Sequence, residues 1–117
     1  MKSILIIDND ASTCESLASY FSEIGYLVHT ADNGLTGLGI IRRIKPDVII
    51  SDIRMPCLNG IELACIIKSI KYEVPVILIS SYDNIEVNQI NLCSFAFLQK
   101  PIDIRNLKDS VCRAIAA

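Results

Sequence analysis

Four short apolar runs in this chain each stop abruptly on polar groups, and that repeated pattern constrains the fold more than any other feature. Residues 4–7 run into Asp8-Asn9-Asp10, and 48–50 into Ser51-Asp52; 76–79 end at Ser80-Ser81, and 95–98 at Gln99-Lys100-Pro101. Runs of this length without polar alternation suit strands buried on both faces. Asp52 is the most telling stop, because Ile53-Arg54-Met55-Pro56 then turns the chain away. A buried strand that ends this way leaves its carboxylate at the carboxyl edge of a sheet. Carboxylates, hydroxyls and an ammonium at four such ends predict one convergent site, suited to a metal and a phosphoryl group.

The segments between the runs have helical spacing. Residues 12–24 carry Leu17, Phe21 and Ile24 on one face, and Gly25 stops them. A second strand is predicted at 26–30, followed by a helix with Leu35, Leu38, Ile41 and Ile44, capped by Asp32 or Asn33 and ended by Pro46. The third strand, 48–51, leads to a helix at 60–70; Pro75 opens the fourth strand at 76–79. A short polar helix is predicted at 84–92, then a strand at 95–98 and a last helix at 103–114. Five alternations of strand and helix imply right-handed crossovers, an α/β fold with a parallel sheet, and helices on both faces.

The 117 residues suit a single domain over 1–117 that buries enough surface for a core. Net charge is -2 with no extended Lys/Arg cluster, which argues against direct nucleic-acid binding. No apolar run approaches the roughly 18 residues of a membrane span, and no signal-peptide pattern opens the chain, so the expected location is cytoplasmic. The five cysteines lack metal-site spacing and read as scattered small apolar residues in a reducing compartment. His29 reads as a satisfied or exposed strand residue. Gly34, Gly37 and Gly39 fall in a helical segment and in the wrong order for a dinucleotide loop. Arg42, Arg43 and Lys45 form a solvated helix end, favoured by the C-terminal dipole.

Ligands of an open α/β sheet lie beyond the carboxyl ends of its strands. Mg2+ takes oxygen ligands, commonly one or two carboxylates with waters and phosphate oxygens. Asp8, Asn9, Asp10 and Asp52 are the candidates to supply them. Phosphoryl transfer rests on positioning and charge neutralisation, which the metal, Lys100 and the Ser80 hydroxyl would provide. Asp52 is the candidate nucleophile, giving an aspartyl phosphate. As isolated residues, Asp52 could be a helix cap, Asn9 and Asp10 could form Asx turns, and Lys100 could be solvated.

With these residues in hand, the chain resembles the receiver domains of two-component response regulators over essentially its whole length. The matching pieces are Ile6-Ile7-Asp8-Asn9-Asp10, Ser51-Asp52-Ile53-Arg54-Met55-Pro56, Asn59-Gly60, Ile79-Ser80-Ser81 and Lys100-Pro101. The resemblance implies a flavodoxin-like, doubly wound sheet of order 2-1-3-4-5. It implies a signalling domain rather than an enzyme, with Asp52 as phosphoacceptor for a sensor histidine kinase or phosphotransfer protein. By the same resemblance Ser80 senses the phosphoryl group, Lys100 pairs with it, and the Arg54 backbone carbonyl joins the Mg2+ ligands. Phe97 takes the aromatic switch position, a role Tyr82 could share. Lys100-Pro101 matches a peptide bond that is usually cis. Output would pass through the face of the fourth helix, fifth strand and fifth helix to a partner protein or domain, with a homodimer allowed.

The pattern departs from the family where Asp8-Asn9 replaces an acidic pair, in a slightly shorter stretch from Ser80 to Lys100, and at Cys93-Ser94 in place of a common Gly-Ala. Two other functions compete. Asp8-Asn9-Asp10-Ala11-Ser12 resembles the opening of haloacid-dehalogenase-like phosphatases, a reading that leaves Asp52 idle. A receiver-like interaction module that works without phosphorylation is the other, kept in view by Asn9 and the shortened fourth segment. The residues do not name the kinase, the output partner or the oligomeric state, nor whether the chain is cut from a longer regulator.

Overall fold

A computed structural model describes residues 1–70, 73–81 and 93–117. Its strands are β1 (Ser3–Ile7), β2 (Leu27–Ala31), β3 (Val48–Asp52), β4 (Val76–Ser80) and β5 (Ala96–Gln99). Between and after them run α1 (Ala11–Glu23), α2 (Gly34–Ile44), α3 (Gly60–Ser69) and α4 (Ile104–Ala116). The helix predicted at 84–92 and the side chain of Tyr82 lie outside the described residues. The strands pair in parallel in the order β2-β1-β3-β4-β5, the predicted doubly wound sheet.

The pleat sends successive side chains to opposite faces, so each unbroken apolar strand feeds two cores at once. On one face Ile4, Ile6, Val48, Ile50, Ile77 and Ile79 pack with Leu17 and Phe21 of α1 and Leu107, Val111 and Ala114 of α4. On the other face Leu5, Ile7, Ile49 and Leu78 pack with Ile41 of α2 and Leu63, Ala64 and Ile67 of α3. Phe21 is fully buried and meets Tyr20 and Tyr26 edge-on, with centroids 5.2 and 5.7 Å away. β1, β3 and β4 are buried throughout, whereas the edge strands β2 and β5 are partly exposed. At the amino edge Asp47 accepts from the Ser3 backbone N–H at 2.8 Å, tying the starts of β1 and β3.

All four described helices start on an Asp or Asn whose side chain accepts an otherwise unpaired backbone N–H: Asp10, Asn33, Asn59 and Asp103. Asn33 is therefore the α2 cap of the two candidates. Asn59 and Glu62 form a reciprocal pair, Glu62 N–H to Asn59 Oδ1 at 2.8 Å and Asn59 N–H to Glu62 Oε1 at 3.1 Å. α1 ends before Gly25 at φ 106°. α2 carries Arg42 and Arg43 in its last turn and ends on Lys45 at φ 53°, a left-handed position usually given to glycine.

Two sequence expectations need correction. His29 is half-buried, and its Nε2 has no partner among the described residues, so it is neither satisfied nor exposed. The cysteines are not simply scattered apolar residues. Cys14 is buried, Cys57, Cys65 and Cys112 are exposed, and the Cys65 and Cys93 sulfurs lie 2.7 Å apart. Sequence spacing hid that contact because α3 and the approach to β5 meet only in the fold.

Two glycines test the packing around β3. Gly60 opens α3 so close to the end of β3 that a Cβ there would strike the Asp52 carbonyl oxygen and come 3.0 Å from the Ile53 Cα. Gly39 lies within α2 with open space around it. Alanine normally stabilises a helix over glycine by about 0.5–1 kcal/mol. Gly39→Ala is expected to gain that amount in urea unfolding, while Gly60→Ala loses stability because backbone cannot move aside as a side chain can. A gain of the same size in both variants would show that α3 is free to shift away from β3.

Candidate functional site

The parallel sheet brings every carboxyl strand end to one edge. Ile7 of β1 pairs with Ser51 of β3, so Asp8 and Asp52 stand at the same level one residue further on. Asp52 pairs with Ile79 of β4, and Ser80 follows, fully buried. The Lys100 backbone N–H donates to the Ser80 carbonyl at 2.7 Å, which ties the end of β5 to the same edge. Lys100 and Pro101 are joined by a cis peptide bond.

From there the Lys100 ammonium reaches both carboxylates: Nζ lies 3.2 Å from Asp8 Oδ2 and 3.4 Å from Asp52 Oδ2. The Asp8 side chain is 0% exposed and that of Asp52 9%, so the ion pairs are largely shielded from water. The other Asp8 oxygen accepts the Asp10 backbone N–H at 2.9 Å. Burial pushes the Asp52 carboxyl above its ordinary range, and the neighbouring Asp8 pushes it further; Lys100 and the Arg54 backbone N–H offset only part of this. Burial alone would lower the Lys100 ammonium, but Asp52 and Asp8 outweigh it and hold its pKa above the usual lysine value. Two carboxylates thus share one ammonium, and the cluster keeps an excess of negative charge.

The remaining candidates divide clearly. Asn9 is exposed and, with Asp8, lines a depression of about 460 Å3 that also touches Asp32 and Thr36. Asp10 is turned to α1: its Oδ1 accepts the Ser12 N–H and its Oδ2 the Thr13 hydroxyl, each at 3.0 Å. The Thr13 hydrogen bond leads the lowering of its pKa. Asp10 thus caps α1, a role that competes with its expected place among the metal ligands. Arg54 is exposed in the turn after β3. Phe97 pairs with Leu78 and is half-buried against the core under α2 and α3, so it belongs partly to that core.

Mg2+ fits this donor set: two buried carboxylates with uncompensated charge, one of them carrying a raised pKa, form a hard-oxygen site that lacks positive charge. Among the described residues no three acidic, histidine or cysteine side chains converge, and the two carboxylates that meet at Lys100 are those of Asp8 and Asp52. The sequence reading attached no role to Gly60, although the gap left by its missing Cβ is what lets α3 close beneath Asp52. The Asn59-Gly60 pair followed by Glu62 was the available signal, since it spells a helix start just after the β3 turn.

The response regulator receiver domain family matches residues 4–112. The regulatory protein AtoC of Escherichia coli K12 is 35% identical over 114 residues, covering 96% of this chain and 25% of that protein. The transcriptional regulatory protein GlrR of the same strain is 33% identical, again over 96% of this chain and 25% of its own length. The chain thus spans about a quarter of these curated relatives. Among solved structures, a response regulator receiver domain protein from Clostridium thermocellum superposes with a TM-score of 0.92 at 26% identity, covering 99% of this chain and 95% of that one. A CheY-like receiver domain protein from Methanospirillum hungatei gives the same TM-score at 25% identity, covering 99% and 94%. No described helix is long and apolar enough to cross a membrane. By sequence, by fold and by the residues at its strand ends, the chain belongs to the response regulator receiver domain family.

Proposed function

We propose that Asp52 accepts a phosphoryl group from a phosphohistidine of a sensor kinase or phosphotransfer protein, and that this switches the binding of an output partner. The observation that carries this reading is the Lys100 ammonium held between the shielded Asp8 and Asp52 carboxylates at the sheet edge. An Asp52 oxygen attacks phosphorus, the donor's phosphorus–nitrogen bond breaks, and the imidazole leaves and takes a proton from solvent. Asp8, Asp52, the Asn9 side chain and the Arg54 carbonyl would hold Mg2+, which when bound supplies positive charge to the phosphoryl oxygens. Lys100 then exchanges an Asp52 carboxylate oxygen for a phosphoryl oxygen, and the Ser80 hydroxyl donates to another. New partners for Ser80 and Lys100 bias an existing conformational equilibrium, with Phe97 on β5 as the aromatic element that follows.

AtoC and GlrR carry regulatory and transcriptional-regulatory names and are about four times the length that this chain matches. That supports an output domain or separate partner engaged through β5, α4 and the predicted segment before β5, in the cytoplasm, with a homodimer allowed. Small phosphodonors would also serve Asp52. The haloacid-dehalogenase-like reading has less support, because it leaves idle the Asp52 that Lys100 contacts. Asn9 and the shortened stretch from Ser80 to Lys100 favour the phosphorylation-independent module, which would keep its partner after Asp52→Ala.

Three outcomes test the proposal. Acetyl phosphate with Mg2+ is expected to add one phosphoryl mass to the wild type and none to Asp52→Asn; equal labelling of the variant would remove Asp52 from its role. Asn9→Asp restores a charge beside Asp8 and is expected to tighten Mg2+ binding severalfold in a titration, with equal or weaker affinity refuting the ligand assignment. The third concerns pH. A folded carboxyl whose pKa stands above 3.8 contributes stability that is fully present below 3.8 and lost as pH rises through its folded value. Without divalent cations, Asp52→Asn should therefore be more stable than the wild type at pH 7. That advantage should shrink steadily on acidification to pH 4. A variant less stable at pH 7 would mean that the Lys100 pair outweighs burial and repulsion.

A further inference from the structure

Away from the carboxylate site, two cysteines 28 positions apart in sequence meet across the fold. Cys65 lies on the exposed side of α3, and half-buried Cys93 precedes β5; their sulfurs are 2.7 Å apart and hydrogen-bonded. Cys93 packs against the core beneath α3 and lines a cavity of about 610 Å3 together with Ala64, Ile67, Lys68 and Phe95. Cys14, Cys57 and Cys112 have no cysteine at such a distance among the described residues.

We propose that Cys65 and Cys93 are a reversible dithiol–disulfide pair, oxidised by low-molecular-weight disulfides of the glutathione type, that bridges α3 to the approach of β5. One protein thiolate attacks the small disulfide, its sulfur–sulfur bond breaks, and one small thiolate leaves with a proton from solvent. The second protein sulfur then attacks the mixed disulfide at the protein sulfur and expels the second small thiol. The protein loses two electrons and two protons, and the small disulfide gains both.

Two observations support the pair, and a third bears on its rate. The second attack is intramolecular between sulfurs already in contact, so it outruns capture of the mixed disulfide by a free thiol. Cys65 is exposed, which gives the small disulfide access. The mutual hydrogen bond also pushes the Cys65 thiol up to about 11, with burial adding to it and Lys68 working the other way. That raised pKa keeps Cys65 mostly protonated near neutrality, so the exchange is expected to speed up as pH rises. The bridge would fix the entry of β5 relative to α3. It involves neither Asp52 nor Mg2+, so its test is independent of the phosphoryl reading.

The experiment equilibrates the reduced protein in glutathione buffers of rising oxidised fraction, quenches with an alkylating reagent and maps the peptides by mass. The expected result is a Cys65–Cys93 cross-linked peptide with an intact mass lower by two hydrogens, reversed by dithiothreitol, while Cys57 and Cys112 are still alkylated. It should form at an oxidised-to-reduced ratio about tenfold below the one that attaches glutathione to Cys57 or Cys112, reflecting the intramolecular step. Cys93→Ser should convert the bridge into a glutathione adduct on Cys65. If that variant does not fold, the order of modification in the wild type decides alone. Alkylation or glutathione addition at both Cys65 and Cys93 under buffers that already modify Cys57, or a bridge that appears only in urea, would overturn the proposal.

Discussion

One ammonium shared by two shielded carboxylates sets the terms for everything at the carboxyl edge of this sheet. At an effective dielectric near 20, a pair at 3.2–3.4 Å has a gross attraction on the order of 5 kcal/mol, and two neighbouring carboxylates repel on a comparable scale. Burial adds a further penalty against charge. The balance at Asp52 raises its pKa, since desolvation and Asp8 together exceed the help from Lys100. An exposed ion pair would be worth little in either direction. Here the two Asp side chains are 0% and 9% exposed, and removing the Lys100 ammonium would leave both without a counter-charge, a loss that typically costs about 3–5 kcal/mol. The site is therefore held together and left short of positive charge at the same time. A divalent cation would relieve that shortage, and with it bound a carboxylate oxygen could meet an anionic phosphoryl group.

The imbalance exists only because the backbone enforces it. Asp8, Asp52 and Lys100 belong to three strands, and parallel pairing delivers all three ends to one edge. Register matters as much as order. A slip of β3 by one residue against β1 would turn Asp52 to the other face and carry Ile49 and Ile50 out of their separate cores. The fully buried isoleucines and leucines of β1, β3 and β4, each worth roughly 1.5–3 kcal/mol of transfer free energy, oppose that slip. Asp47 on the Ser3 N–H fastens the amino edge, while Gly60 admits α3 beneath the Asp52 carbonyl at the carboxyl edge.

Much of this was legible in the sequence because strand burial and strand ending are written locally. An apolar run of four or five residues that stops on Asp, Ser or Lys carries its own position, so the sheet and the grouping of Asp8, Asp52, Ser80 and Lys100 could be read directly. Asp10 could not. An Asp after a strand serves equally as ligand or cap, and its contacts with the Ser12 N–H and Thr13 hydroxyl at 3.0 Å are visible only in the fold. Gly60 was visible as a residue but not as a gap, because its role depends on a backbone approach from another element. The thiol contact was the least legible. Cysteine spacing signals metal or disulfide frameworks only when the partners sit in short local patterns, and Cys65 and Cys93 are joined by topology alone.

β5 connects these separate features mechanically. It is a four-residue strand with the Phe95 N–H on the Val76 carbonyl at 2.8 Å before it and the Lys100 N–H on the Ser80 carbonyl at 2.7 Å after it. Five extended steps separate those anchors, roughly 17 Å at the usual rise per residue. A strand this short and held at both ends shifts as a unit more readily than it bends. Lys100, which on the proposed function would change partners on phosphorylation of Asp52, stands at one end, and Cys93 stands just before the other. Phe97 lies between them, half-buried against the core under α3 and able to respond to a displacement from either side. On the proposed function a phosphoryl group would pull on the carboxyl end of β5, and the proposed disulfide would restrain its amino end. Because both would act on the same strand, their effects on Phe97 would be coupled, with a sign set by whether the bridged position of Cys93 matches the phosphorylated or the unphosphorylated position of Lys100.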